Sequence, residues 1–299
     1  MENLSSLPTE QRNPHSMRLD QMSALEIAQT MNAEDELVAQ AVRAVLPKVA
    51  DAIDLVAGCL SRGGRIIYIG AGTSGRLGLL DAAECPPTFG VSPDAVIALI
   101  AGGQDAFHQA AEGAEDSTTL CQEQLMELSL TSDDIVIGIA ASGRTPYVVH
   151  GLRYARSISC PTVAIAYVKD SIIGREVDIA IEPETGPEVL TGSTRLKAGT
   201  AEKMVLNMIS TGSMVCLGKV YQNLMVDMQQ TNGKLRKRAR SIVMQATDCT
   251  GERAEQALVD SEGDVKTAIV MIALGVSREQ AARLLHDAKG RVGMALRQP

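Results

Sequence analysis

The chain has 299 residues, enough for about two domains, and its 45% apolar content with a mean hydropathy of +0.04 supplies a sizeable core. Twenty-eight Lys and Arg against 36 Asp and Glu give a net charge of -8, and the aromatic residues are five Tyr and two Phe with no Trp. That balance excludes a chain built to neutralise nucleic-acid phosphates or to stack on bases, and no apolar run approaches the roughly 20 residues that span a bilayer.

In chain order, Val38, Val42, Val45, Val49, Ile53, Val56 and Leu60 recur at steps of three and four, which predicts one buried helix face that Pro47 kinks or breaks. Residues 65–70 then predict a short buried strand, and similar strands follow over 95–100, 134–140, 162–168 and 177–181. Between them lie predicted helices over 75–84, 105–128 and 145–157, the first expected to stop at Pro86 and Pro87. Strand and helix alternating at this spacing predict right-handed βαβ units. The fold class is α/β: a doubly wound, parallel five-stranded sheet with helices on both faces. Residues 199–228 are apolar nearly all round, so they predict a long helix buried in the core or in a subunit interface, and a homodimer is expected. The last sixty residues predict short helices separated by Gly251, Gly263, Gly275 and Gly290. The basic run at 234–240 joins them, as a solvated helix face or an attractor for an anion. The expected domains are an N-terminal helical segment at 1–55, a sugar-phosphate domain at 56–235 and a small helical subdomain at 236–299.

Cys59, Cys85, Cys121, Cys160, Cys216 and Cys249 sit singly in apolar segments with no CxxC pair, as reduced core residues of a cytoplasmic protein would. His15, His108, His150 and His286 show no metal-ligand spacing, and the polar N-terminus does not read as a signal peptide. No metal site is expected.

Two strand tips carry loops suited to an anion. The first holds Thr73, Ser74 and Gly75, and the second holds Ser142, Gly143, Arg144 and Thr145. Glycine lets backbone N–H groups approach a ligand, hydroxyls add donors, and each loop opens a helix whose N-terminal end favours negative charge. Residues 70–75 also match GxGxxG, but no carboxylate stands at the tip of the second strand to hold a ribose, and GxxxxGK[ST] is absent. A phosphate fits better than a dinucleotide. Beside the loops, Glu84 and Glu115 have small neighbours that would leave them partly desolvated, or else they are solvated helix-end acids.

The runs GAGTSGRLG at 70–78 and DAAECPP at 81–87 strongly resemble the bacterial N-acetylmuramic acid 6-phosphate etherases, of the sugar isomerase (SIS) superfamily. The resemblance extends to TEQRN at 9–13, AED at 114–116, ASGRT at 141–145 and LTGSTRLKAGT at 190–200. It implies a homodimeric cytoplasmic enzyme of cell-wall recycling, without metal or organic cofactor, that cleaves the lactyl ether to give N-acetylglucosamine 6-phosphate and D-lactate. Glu84 and Glu115 would form the acid/base pair, with the phosphate on the two loops. Ser193, Thr194 and Lys197 would contact sugar or lactyl group, Lys197 alternatively forming a structural ion pair. The rival is a sugar-phosphate-sensing regulator, the animal glucokinase regulatory protein. It carries two SIS domains where 299 residues are expected to hold one.

Overall fold

Five short strands of mainly β-branched and small residues form a sheet whose central members are buried on both faces, as a parallel sheet requires. The structure is a computed structural model that describes residues 8–109, 113–230 and 232–297. The strands are β1 (Ile66–Gly70), β2 (Val96–Ile100), β3 (Ile135–Ile139), β4 (Thr162–Ile165) and β5 (Ile179–Ile181), in the order β2-β1-β3-β4-β5 and all parallel. Before them come α1 (Ala24–Asp35), α2 (Val38–Ala44) and α3 (Leu46–Ser61). Pro47 lies in the first turn of α3, where its missing N–H costs nothing, so it breaks the predicted helix into two.

Helices cover both faces. Ile67 and Ile69 of β1 pack with Cys121 and Leu125 of α5 (Leu120–Glu127) and with Val148 and Leu152 of α6 (Pro146–Ser157). Tyr68, alternating to the other face, donates its hydroxyl at 2.8 Å to Asp81 of α4 (Gly72–Phe89). Asp81 is buried, and it also accepts from Asn207 at 2.6 Å and Ser210 at 3.0 Å on α7 (Lys197–Cys216). Three donors on one buried carboxylate tie strand and two helices together.

The chain divides into two compact units. The first holds the chain up to Ala83 with Asp94–Ser210, and the second holds Glu84–Pro93 with the chain from Thr211 on. In the second, an antiparallel pair, β6 (Val220–Tyr221) and β7 (Leu224–Met225), precedes α8 (Gly233–Thr247), α9 (Gly251–Asp260), α10 (Val265–Leu274), α11 (Arg278–Asp287) and α12 (Val292–Ala295). Their core gathers Ile242, Val243, Ala268, Ile269 and Leu285. The basic run lies on α8 with Lys234, Arg236, Lys237 and Arg238 exposed, the solvated face expected.

Four expectations are corrected. Helix α4 does not stop at the prolines: Pro86 and Pro87 sit in its last turns, and the helix ends where Gly90 takes a φ of +63°. A Cβ at Gly90 would lie 2.1 Å from the carbonyl oxygen of Asp227, so the stop is set by a close backbone approach. The helix expected over 105–128 is two 3₁₀ turns, Gln104–Phe107 and Ala114–Asp116, followed by α5, with 110–112 outside the described residues. Gly113 is left-handed at φ +75°, and the Ser117 hydroxyl takes the N–H of Leu120 at 3.1 Å, which starts the chain afresh. The apolar stretch at 199–228 is helical only to Cys216, since Gly218 turns left-handed at φ +76°. Gly251 opens a helix instead of separating two, because Thr250 supplies the cap, accepting from Arg253 at 3.4 Å.

Candidate phosphosugar site

The strand order places the chain's change of direction between β1 and β3: from β1 it winds to β2 on one side, then returns to β3 on the other. Ligands of doubly wound sheets bind in the crevice at such a point, beyond the carboxyl ends of the strands. Gly70, the last residue of β1, pairs with Ile139, the last of β3, so both predicted loops leave the sheet side by side.

The first loop is tight enough to demand glycine. A Cβ on Gly75 would stand 2.5 Å from Cγ1 of Ile100 and 2.9 Å from the carbonyl oxygen of Gly70. That closeness lets α4 begin at once, with Thr73 and Ser74 in its first turn. In the second loop Gly143 has φ +68°, and a Cβ there would meet Cβ of Ser171 at 2.3 Å. Thr145 then occupies the N-cap of α6 without spending its side chain on the helix amides. Two helix N-termini and their hydroxyls therefore open at neighbouring strand tips, an arrangement that favours an anion.

The first turn of α7 meets the first turn of α4. A Cβ on Gly199 would lie 3.6 Å from the Thr194 carbonyl and 3.8 Å from Cγ2 of Thr73. One turn further, Glu202 is buried at 1% exposure and hydrogen-bonds Ser74 Oγ at 2.9 Å. Burial pushes the Glu202 carboxyl up to about 8, the Ser74 hydrogen bond offsetting part of the rise. Sequence reasoning missed Glu202, because a lone Glu on an apolar helix gives no sign of the residue 128 positions earlier that it meets.

Lys197 forms the ion pair. Its Nζ lies 2.5 Å from Glu34 Oε2 with the lysine side chain 2% exposed, so the ammonium is already engaged and is not assigned to substrate. Glu34 also takes Asn13 Nδ2 at 2.8 Å and pairs with His15 Nδ1 at 2.7 Å. Burial alone would raise the Glu34 carboxyl, but the hydrogen bonds from Lys197, His15 and Asn13 outweigh it and hold it at about 2. Glu188 accepts the first backbone N–H groups of α7, from Lys197 at 2.9 Å and Ala198 at 3.0 Å. The 9–13 motif thus anchors the N-terminal segment to the start of α7. Beside it, a cleft of about 390 Å³ is lined by Arg12, Met17, Asp20, Leu190 and Thr191.

Arg76 is likewise structural. It donates to the carbonyls of Phe107 at 3.0 Å and Ala106 at 2.9 Å, holding the segment after β2 against α4. Glu115 follows in the 3₁₀ turn beyond that segment, and Glu84 lies on α4. Both are exposed, as solvated helix-end acids are. Ser193 is half-buried in its turn, and Ser142 and Arg144 are half-buried in the second loop.

The six cysteines are free, and burial pushes the Cys121 and Cys160 thiols up to about 12, which suits core residues. Among the described residues no group of three His, Cys, Asp or Glu could hold a metal ion, and no helix is long and apolar enough to cross a membrane.

A family model for the glucokinase regulatory protein N-terminal SIS domain matches residues 48–156, and one for the SIS domain matches 111–212. The N-acetylmuramic acid 6-phosphate etherase of Exiguobacterium sp. is 57% identical over 98% of this chain and 100% of its own. That of Mycolicibacterium smegmatis is 55% identical over 98% of both chains. This chain belongs to the N-acetylmuramic acid 6-phosphate etherase family. The etherase runs at 70–78, 141–145 and 190–200 are those that build the two loops and the turn before α7. Among solved structures, a phosphoheptose isomerase from Francisella tularensis superposes with a TM-score of 0.52 at 17% identity, over 65% of this chain and 100% of its own. At that identity the shared property is the SIS fold.

Proposed function

We propose that this chain cleaves the D-lactyl ether of N-acetylmuramic acid 6-phosphate, giving N-acetylglucosamine 6-phosphate and D-lactate. The observation that carries this is the kinship with etherases over 98% of the chain. The hydroxyl-lined strand tips support it as a place for the 6-phosphate. Thr73, Ser74 and Gly75 on one side and Ser142, Gly143, Arg144 and Thr145 on the other would hold that group, with Ser193 and Thr194 toward the sugar. Binding energy from the phosphate then positions the distant C2 and C3.

An ether is a poor electrophile, and the chemistry must go round it. In the ring-opened sugar the C2 hydrogen lies beside an aldehyde and the ether oxygen is on C3. Removing the C2 proton gives an enolate whose electron pair forms the C2–C3 double bond and expels lactate as its ether oxygen is protonated. Water then adds at C3 and a proton returns to C2, so the reaction is an elimination followed by an addition, of carbon–oxygen lyase type. One base and one acid suffice. Glu115 would take the C2 proton, while Glu84 would protonate the departing lactate and later deprotonate the water.

The enzyme is read as a cytoplasmic homodimer that uses no cofactor. Leu80 and Leu190 in the first unit, and Val215 and Val259 in the second, are between 48% and 68% exposed, apolar surface that a second subunit would cover. The match to a regulatory protein's SIS model favours one alternative, a sensor that binds the sugar phosphate and leaves it intact. Turnover in D₂O separates the routes: elimination and addition place one deuterium at C2 of the product. Lactate released with hydrogen retained at C2 would rule out the elimination route.

A further inference from the structure

Glu202 lies behind the first loop, and among the described residues no cation pairs with it. Its Oε2 meets Ser74 Oγ at 2.9 Å, and its Oε1 is buried without a hydrogen-bond partner. Glu202 in turn acts on the Tyr167 phenol, beyond β4, which is fully buried and, among the described residues, without a hydrogen-bond partner. A negative charge on Glu202 would push that phenol's ionisation further up. Along α7, Lys197 is engaged with Glu34, and Lys203 is exposed. A charged carboxylate here would bury an uncompensated charge, which is costly.

A serine hydroxyl has one proton to give. A charged Glu202 accepts only, so it claims that proton and leaves Ser74 with lone pairs alone for an incoming anion. A neutral Glu202 carries its own proton and donates it to Ser74 Oγ. The Ser74 proton is then free for a phosphate oxygen. The same neutrality removes a like charge from behind the phosphate.

We propose that Glu202 is a positioning residue: held protonated, it turns the Ser74 hydroxyl outward as a donor to the substrate's phosphate, so that phosphate binding requires its proton. The inference rests on the two loops being the phosphate site. With the carboxyl at about 8, the binding-competent form is present below that pH and is lost above it. The phosphate dianion itself no longer titrates in this range.

The test is calorimetric titration with N-acetylglucosamine 6-phosphate between pH 6.5 and 9.5. The wild-type affinity is expected to hold up to about pH 8 and then fall about tenfold per pH unit. The amide of Glu202→Gln donates to Ser74 at every pH, so this variant should give a flat profile. Ser74→Ala should bind more weakly at pH 7, with a smaller total alkaline fall, since only the like charge of Glu202 then acts on the phosphate. In the wild type at pH 9, titrations in two buffers of different ionisation enthalpy should report about one proton taken up per ligand bound. This reading stands even if Glu202→Gln does not fold. A flat wild-type profile without proton uptake, or an unchanged alkaline fall in Glu202→Gln, would overturn the role of Glu202 and leave the phosphate site standing. Wild-type affinity in Ser74→Ala would instead overturn the phosphate site.

Discussion

Glu84→Gln and Glu115→Gln are each expected to lower kcat by at least about 10² while the melting temperature stays within about 2 °C of wild type, since both side chains are exposed and removing their charge disturbs no packing. The two variants should differ in kind. If Glu115 removes the C2 proton, substrate incubated in D₂O with Glu84→Gln exchanges its C2 hydrogen without losing lactate, because proton removal survives and the leaving group lacks its acid. Glu115→Gln should do neither. Identical behaviour would contradict the division of labour, and near wild-type turnover in either variant would remove that residue from the mechanism.

The second large effect is on stability. Lys197→Met leaves the Glu34 carboxylate buried with its strongest partner gone, which costs about 3–5 kcal/mol, or a melting temperature lower by roughly 6–20 °C. Adding Glu34→Leu should recover much of that loss, because an apolar pair of similar volume carries no buried charge. The pH dependence follows from the lowered carboxyl. The stability contributed by Glu34 is fully present above its ordinary value of 4.5 and is lost as the pH falls toward 2. Acid melts of the wild type should therefore steepen between those values, and the double variant should lack that component. A Lys197→Met protein melting within about 2 °C of wild type would show that the pair does not anchor the N-terminal segment.

The legible parts of this chain are those whose signal is local. Apolar β-branched runs ending in glycine, such as residues 66–70, show strand and tight loop together, and the spacing of strands and helices yields the parallel sheet. Pro47 is legible for the same reason. Pro86 and Pro87 mislead because the local rule, that proline ends a helix, is overridden here; the stop at Gly90 depends on Asp227, far along the chain. The overlong helices at 105–128 and 199–228 follow from apolar content outweighing Gly113 and Gly218, glycines that already marked the breaks.

At the site, the glycine and hydroxyl pattern of the two loops is visible in sequence because anion binding uses backbone amides and short side chains. The acids behind it are not. Glu34 meets Lys197 across 163 positions, Asp81 meets Ser210 across 129, and Glu202 meets Ser74 across 128. None of the three carboxyls carries a local sign of its partner, and only the packing of distant segments brings the two together. The scarcity of Trp and Phe is compatible with a phosphosugar ligand, which hydroxyls, glycine amides and carboxyl groups would meet.

Breakage of the ether bond by this chain can be read from its products. Incubating the purified protein with N-acetylmuramic acid 6-phosphate and following D-lactate with a lactate dehydrogenase assay, alongside N-acetylglucosamine 6-phosphate by mass spectrometry, tests it directly. Both products are expected in equal amounts, with multiple turnovers without added metal or cofactor. Saturable binding of the phosphosugar with no release of lactate would contradict it and leave a sugar-phosphate sensor in its place.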